Sequence, residues 1–72
     1  MEKLTLEKVN QRLVKINNCK RDDEMAHCEE DDLFYDFVEN IKNGNYKTKK
    51  EIELIATELF KVRDIAFARW QA

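Results

Sequence analysis

Residues 44–51 read GNYKTKKE, and this stretch separates two predicted helices. Gly44 suits the left-handed position that follows the last turn of many helices. Thr48 and Glu51 have the S/T-x-x-E form of a capping box, in which each side chain binds an otherwise unpaired amide at the start of a helix. Because the connector is short, we expect the helices on either side of it to be antiparallel neighbours.

Apolar residues recur at helical spacing on both sides of this connector. After it, a stripe predicts a helix over about 48–66: Ile52, Ile55, Ala56, Leu59, Val62 and Ala66. Before it, Asp22 or Asp23 can cap a helix that runs over about 22–43, with acidic residues in its first turn as the helix dipole favours.

A further amphipathic segment lies near the beginning of the chain. Leu6, Val9, Leu13 and Ile16 stand three or four positions apart, which predicts a helix over about 5–18. Thr5 is the expected N-cap of this helix. Leu4 and Val9 occupy the positions of a hydrophobic staple around that cap.

These elements predict an all-α fold, a compact antiparallel bundle of three helices in a single domain over residues 1–72. The chain has no proline and one glycine, which is too few for the tight turns of a sheet. The third helix either continues to Trp70 or breaks near Asp64, leaving a short fourth turn at the C-terminus. A chain of 72 residues builds a small core, so self-association as a homodimer is a further expectation.

Composition excludes several classes of function. Charged residues make up 39% of the chain and the formal net charge is -2, which is not the balance of a nucleic-acid-binding protein. No apolar run is long enough to cross a membrane and no signal peptide is evident, so we expect a cytoplasmic protein. Cys19 and Cys28 lack zinc-site spacing and are expected to be reduced. No cofactor motif is present, and a non-enzymatic function is favoured over an enzymatic one.

The second helix contains polar residues that interrupt its apolar face, which we assign to Ala26, Leu33, Phe34, Phe37, Val38 and Ile41. At about 100° per residue, Glu30 falls at the middle of that face and Asp23 and His27 fall near it. Arg63 lies within the apolar stripe of the third helix and is the natural partner of Glu30. The first hypothesis is therefore a buried polar network of Asp23, His27, Glu30 and Arg63.

Two other hypotheses for this cluster stay open. Glu24 and His27 have the i, i+3 spacing found in carboxylate-bridged di-iron bundles, so Glu24, His27, Glu30 and Asp31 are candidate metal ligands. One such motif supplies too few ligands unless the third helix or a second protomer contributes. Alternatively, carboxylates crowded in a partly apolar setting would form a general acid–base site for a small molecule.

A second candidate surface lies near the C-terminus. Trp and Arg are the residue types that anchor protein interfaces, and Arg69 and Trp70 stand beside Phe67 at the end of the chain. Tyr35 lies off the predicted core face and would extend this surface. We therefore assign partner binding to a surface near Tyr35, Phe67, Arg69 and Trp70 or to the acidic second helix, while an aromatic tail that closes the core is the structural alternative.

Two segments resemble a family of very small, uncharacterised helical proteins of phage and prophage genomes. Residues 24–33 contain the pattern Glu-x-Ala-His-x-x-Glu-Asp-x-Leu, and residues 64–72 contain Asp-Ile-x-Phe-Ala-Arg-Trp. The resemblance implies an accessory protein that binds a host or viral protein. The function that we expect is thus a small non-enzymatic binding protein of phage or prophage type, and the alternative is a metal-binding or hydrolytic protein that uses the cluster at Glu24, His27, Glu30 and Asp31.

Overall fold

Three α-helices and one 3₁₀ helix make up the fold. The computed structural model describes residues 3–67. The helices are α1 (Leu6–Asn18), α2 (Asp23–Lys42) and α3 (Lys49–Leu59), and the 3₁₀ helix (Phe60–Asp64) follows α3 directly. The predicted all-α bundle of three helices is confirmed.

Each α-helix begins at a side-chain cap. Thr5, Asp22 and Thr48 each accept a hydrogen bond from the backbone N–H three residues later, at 3.1–3.2 Å. These bonds satisfy amides that have no partner within the helix. The capping box at α3 has one difference from the usual form, because Glu51 accepts a hydrogen bond from the backbone N–H of Lys47, at 2.9 Å.

The end of α2 is a Schellman motif. Gly44 has a φ of +70°, and its N–H donates to the carbonyl oxygen of Ile41 at 3.0 Å. The N–H of Asn45 donates to the carbonyl oxygen of Asn40, also at 3.0 Å. A residue with a Cβ rarely adopts this backbone conformation, so the single glycine of the chain sets the point where α2 ends.

The third helix is shorter than predicted. Its α-helical part ends at Leu59, and the fourth turn is the 3₁₀ helix, which lies earlier in the chain than expected. A 3₁₀ helix has about three residues per turn, so Val62 stays on the face of Leu59 and is fully buried. The same tightening rotates Arg63 away from that face, and Arg63 and Ala66 are both exposed.

The core lies mainly around α1, which contacts both other helices more extensively than α2 contacts α3. Two ion pairs join α1 to α2, between Arg12 and Asp36 at 2.8 Å and between Lys15 and Glu29 at 3.4 Å. Their order along the chain shows that the two helices are antiparallel. The core consists of Leu4, Val9, Ile16, Ala26, Leu33, Tyr46, Ile55, Leu59 and Val62. The second and third helices, expected to be antiparallel neighbours, are in contact, but less extensively than either of them is with α1.

The segment before α1 binds both the end of α2 and the connector between α2 and α3. Asn40, which is 1% exposed, accepts a hydrogen bond from the N–H of Leu4 through Oδ1 at 3.0 Å. The hydroxyl of Tyr46 donates to the carbonyl oxygen of Leu4 at 2.7 Å. We call Leu4, Asn40 and Tyr46 the N-terminal clamp.

A salt bridge extends the N-terminal clamp to the first turn of α3. Lys3 pairs with Glu51, and its ammonium lies 5.6 Å from the centroid of the Tyr46 ring. The clamp therefore joins the end of α2 to the start of α3 through the N-terminal segment.

Substitution of Asn40 by alanine should destabilise the fold. The side chain also accepts from Asn45 Nδ2 at 2.8 Å and donates to the carbonyl oxygen of Asp36 at 2.7 Å. Removing it leaves the buried N–H of Leu4 unpaired, so Asn40→Ala should lower the free energy of unfolding by about 1–3 kcal/mol in urea titrations. Asn10→Ala, at an exposed position of α1, is the control. Equal losses in the two variants would contradict the role of the clamp.

The Lys3–Glu51 pair should make stability depend on pH. Hydrogen bonds from the Lys3 side chain and from the backbone N–H of Lys47 hold the pKa of Glu51 below its ordinary value of 4.5. A carboxyl whose pKa is lowered on folding contributes stability above its unfolded pKa, and this contribution is lost as the pH falls through the folded pKa.

Glu51→Gln should therefore flatten the decline in unfolding free energy as the pH falls below 4.5. Glu53→Gln removes an exposed carboxylate from the same helix and is the matched control. A wild-type slope in Glu51→Gln would show that this pair does not couple folding to protonation.

Candidate functional site

A row of apolar side chains on α2 faces solvent. Phe34, Tyr35, Val38 and Ile41 are 38%, 76%, 60% and 42% exposed, and together we call them the α2 stripe. Phe34, Val38 and Ile41 were predicted to lie in the core, and that prediction is wrong. Of the four residues of the α2 stripe, Tyr35 alone was predicted to lie off the core face.

The error has a geometric cause, because α2 carries apolar residues on two neighbouring faces. Ala26 and Leu33 are buried with the bundle, and Phe37 packs against the same core. At about 100° per residue, the middle of the α2 stripe is turned by roughly 100° from the middle of this buried face. The average direction of all the apolar side chains around the axis of α2 falls between the two faces, so it does not distinguish the exposed face from the buried one.

The α2 stripe contains a shallow hollow with an acidic edge. The hollow has a volume of about 230 Å³ and is lined by Asp31, Phe34, Tyr35 and Val38. Its apolar walls are provided by side chains at i, i+1 and i+4 of one helix. Such a surface offers contact area to another apolar side chain and a carboxylate to a neighbouring cation.

The predicted partner-binding residues are only partly described. Tyr35 is the most exposed member of the α2 stripe. Phe67 is half-buried and packs against the core, so it is not a free anchor. Arg69 and Trp70 lie outside the described residues, and the surface that joins them to Tyr35 stays a prediction.

Of the predicted polar network, Glu30 is buried as expected, but Arg63, its predicted partner, is not paired with it in the described structure. Glu30 is 8% exposed and Asp23 is half-buried, and both have an interaction partner. Arg63 is exposed, with its guanidinium carbon 5.2 Å from the centroid of Phe60. Within residues 3–67 it forms no ion pair with either carboxylate. The 3₁₀ geometry after Leu59 accounts for this, because the predicted position of Arg63 assumed a continuous α-helix.

The candidate metal ligands do not converge. His27 Nε2 lies 3.7 Å from Asp31 Oδ1, one turn apart on α2, whereas Glu24 is exposed and Glu30 is buried. In the described part of the chain, no group of three or more His, Cys, Asp or Glu side chains is placed to hold a metal ion. Cys19 and Cys28 are free thiols. The metal-site hypothesis therefore gains no support from the geometry.

A polar cleft of about 380 Å³ lies between α1 and α2, and its lining includes Lys3, Lys8 and Gln11. Its side chains have structural roles, since the cleft is crossed by the Arg12–Asp36 pair and bordered by Asn40. Burial, and then the nearby negative charge of Glu51, raise the pKa of Tyr46 above 10.0. The phenol of the clamp is thus kept protonated as a hydrogen-bond donor. This region holds the fold together.

No helix within residues 3–67 has the length and apolar character required to span a membrane. Comparison of the chain with known protein families, with curated proteins and with solved structures found no match. The resemblance to small phage and prophage proteins therefore stays a prediction.

The exposure of the α2 stripe can be tested by stability measurements. Val38→Ser should change the free energy of unfolding by no more than about 0.5 kcal/mol, as expected for a surface position. Val14, 58% exposed on α1, is a control of the same residue type and nearly equal exposure. Leu33→Ala, at a fully buried position one turn away, should cost about 2–5 kcal/mol. A loss in Val38→Ser close to that of Leu33→Ala would place Val38 in the core.

Proposed function

We propose that this chain is a small non-enzymatic protein of phage or prophage type that binds a host or viral protein in the cytoplasm through the α2 stripe. The observation that carries the proposal is the exposure of Phe34, Tyr35, Val38 and Ile41 along one face of one helix. Single exposed apolar residues are ordinary, whereas a contiguous row of them is typical of an interaction surface.

The spacing of the α2 stripe supports this function. Phe34, Val38 and Ile41 stand at i, i+4 and i+7, which is the pattern by which an amphipathic helix presents anchors to a partner. Tyr35 adds an aromatic ring with a polar tip beside them, and tyrosine is enriched at the centres of interfaces. The stripe thus combines a continuous apolar ridge with one residue suited to a hydrogen bond at its edge.

The contacts of the other polar groups support a binding function over an enzymatic one. Asn40, Tyr46 and Glu51 bind the N-terminal segment and the α3 cap. Arg12 and Lys15 pair with carboxylates of α2 across the bundle. The alternative of a metal-binding or hydrolytic protein would need the cluster around His27 to assemble, and the described residues do not assemble it.

Site-specific photocrosslinking tests the proposal in cells. Benzoylphenylalanine placed at Val38 should yield a covalent adduct with a second polypeptide, and the same group at Val14 should not. A second arm places the crosslinker at Tyr35 and adds Phe34→Ala, which should reduce the adduct because it removes an anchor of the α2 stripe. Phe60→Ala removes an exposed phenylalanine elsewhere and should leave the adduct intact.

The size of the adduct decides between the outcomes. A mass equal to that of the chain plus a different polypeptide is the expected result. An adduct between two copies of the chain would instead indicate a homodimer. Equal labelling from Val38 and Val14, or no labelling from Val38, would contradict a binding site on the α2 stripe.

A further inference from the structure

The charge of α2 is strongly asymmetric. Twelve of the thirteen lysines and arginines of the chain lie outside this helix, and Lys42 is its only one. The helix contains eight carboxylates: Asp23, Glu24, Glu29, Glu30, Asp31, Asp32, Asp36 and Glu39. A chain with a net charge of only -2 therefore concentrates its negative charge on the helix that carries the exposed apolar stripe.

Among the described residues, the ion pairs of α2 with basic side chains lie on one side of the helix. On the side of α2 that faces α1, Asp36 and Glu29 are paired with basic residues of α1. On the outer side, Asp32 and Glu39 are exposed and pair with no cation within residues 3–67. Asp31 lines the hollow of the α2 stripe, and its Oδ1 lies 3.7 Å from Nε2 of His27, one turn away on the same helix.

These charges discriminate between the possible occupants of the α2 stripe. A second copy would place one acidic helix against another, and like charges across an interface oppose association. The exposed area is also small for a dimer, since the four side chains expose on the order of 400 Å² and a standard interface buries about 800 Å² per partner. A helix with basic flanks would instead meet the carboxylates of Asp31, Asp32 and Glu39 beside the stripe.

We propose that the occupant of the α2 stripe is an amphipathic helix of a partner protein whose apolar face is flanked by lysine or arginine. The inference rests on the proposed function and adds the chemistry of the partner. Phe34, Val38 and Ile41 span about 10 Å along the helix axis, so roughly two turns of a partner helix cover them. Asp31, Asp32 and Glu39 then attract the basic flank, steer the encounter and exclude acidic helices.

Three synthetic peptides of about four helical turns test this partner chemistry. All share one leucine face, and the remaining positions are lysine in one peptide, glutamine in the second and glutamate in the third. Binding to the full chain is measured by fluorescence anisotropy at low and high salt. The lysine peptide should bind at least about tenfold more tightly than the glutamine peptide, which corresponds to about 1.4 kcal/mol. The glutamate peptide should bind most weakly, and high salt should reduce the differences in affinity among the three peptides.

Variants of the chain separate the apolar contribution to peptide binding from the electrostatic contribution. Val38→Ser should weaken binding of both the lysine and the glutamine peptide, whereas Val14→Ser should change neither. The double variant Asp32→Lys, Glu39→Lys should reduce or reverse the preference for lysine over glutamate while its unfolding free energy stays near that of the wild type.

Each alternative outcome is distinct. Equal affinity for the lysine and glutamine peptides, with sensitivity to Val38→Ser, would overturn the basic-partner inference and leave the binding function in place. Lysine-peptide binding that ignores Val38→Ser would reduce the interaction to general charge attraction and would also overturn it. Self-association of the chain that Val38→Ser abolishes would make a second copy the occupant. Absence of peptide binding together with absence of crosslinks from Val38 would overturn both proposals.

Discussion

The hydrogen bond from the Leu4 backbone to the Asn40 side chain is the constraint on which the arrangement of the helices depends. Asn40 stands near the end of α2, and its amide binds the N-terminal segment, the connector and its own helix. Because Tyr46 binds the other polar group of the same peptide segment, Leu4 is held at both its N–H and its carbonyl oxygen. Buried amides are costly to leave unpaired, so these bonds hold the N-terminal segment in one position and disfavour other positions of that segment.

This constraint also determines which face of α2 is available to solvent. With Asn40 turned into the bundle, Leu33 and Ala26 lie inside it and Phe37 packs against Tyr46, with ring centroids 6.1 Å apart. The next face of the helix then points outward, and it carries Phe34, Val38 and Ile41. One polar residue in the core thus selects between two apolar faces that hydrophobicity alone would bury equally well.

The elements that could be predicted from the sequence are those encoded locally. Thr5, Asp22 and Thr48 mark helix starts because their side chains bind backbone amides three residues away, and Gly44 marks a helix end through its own backbone conformation. The clamp could not be predicted in this way, since Leu4 and Asn40 are 36 positions apart and their bond has no periodic signal. Arg63 was misplaced because the prediction assumed a continuous α-helix, whereas the chain changes to 3₁₀ geometry after Leu59. The α2 stripe was missed although the sequence contains a signal for it. The apolar residues of α2 are spread over two faces, which is more than a three-helix core requires.

The stability of so small a chain and the exposure of the α2 stripe are connected. A bundle of this size gains little from area alone, and burial of Phe34 or Ile41 would have enlarged its core. Instead, caps, the Schellman motif and the N-terminal clamp hold the helices in place through directional hydrogen bonds. Because these bonds specify the fold without the α2 stripe, the stripe is free to vary in sequence with small effect on folding. An apolar surface that the fold does not need, bordered by Asp32 and Glu39, which pair with no lysine or arginine within residues 3–67, is consistent with a surface whose stabilising contacts come from another molecule.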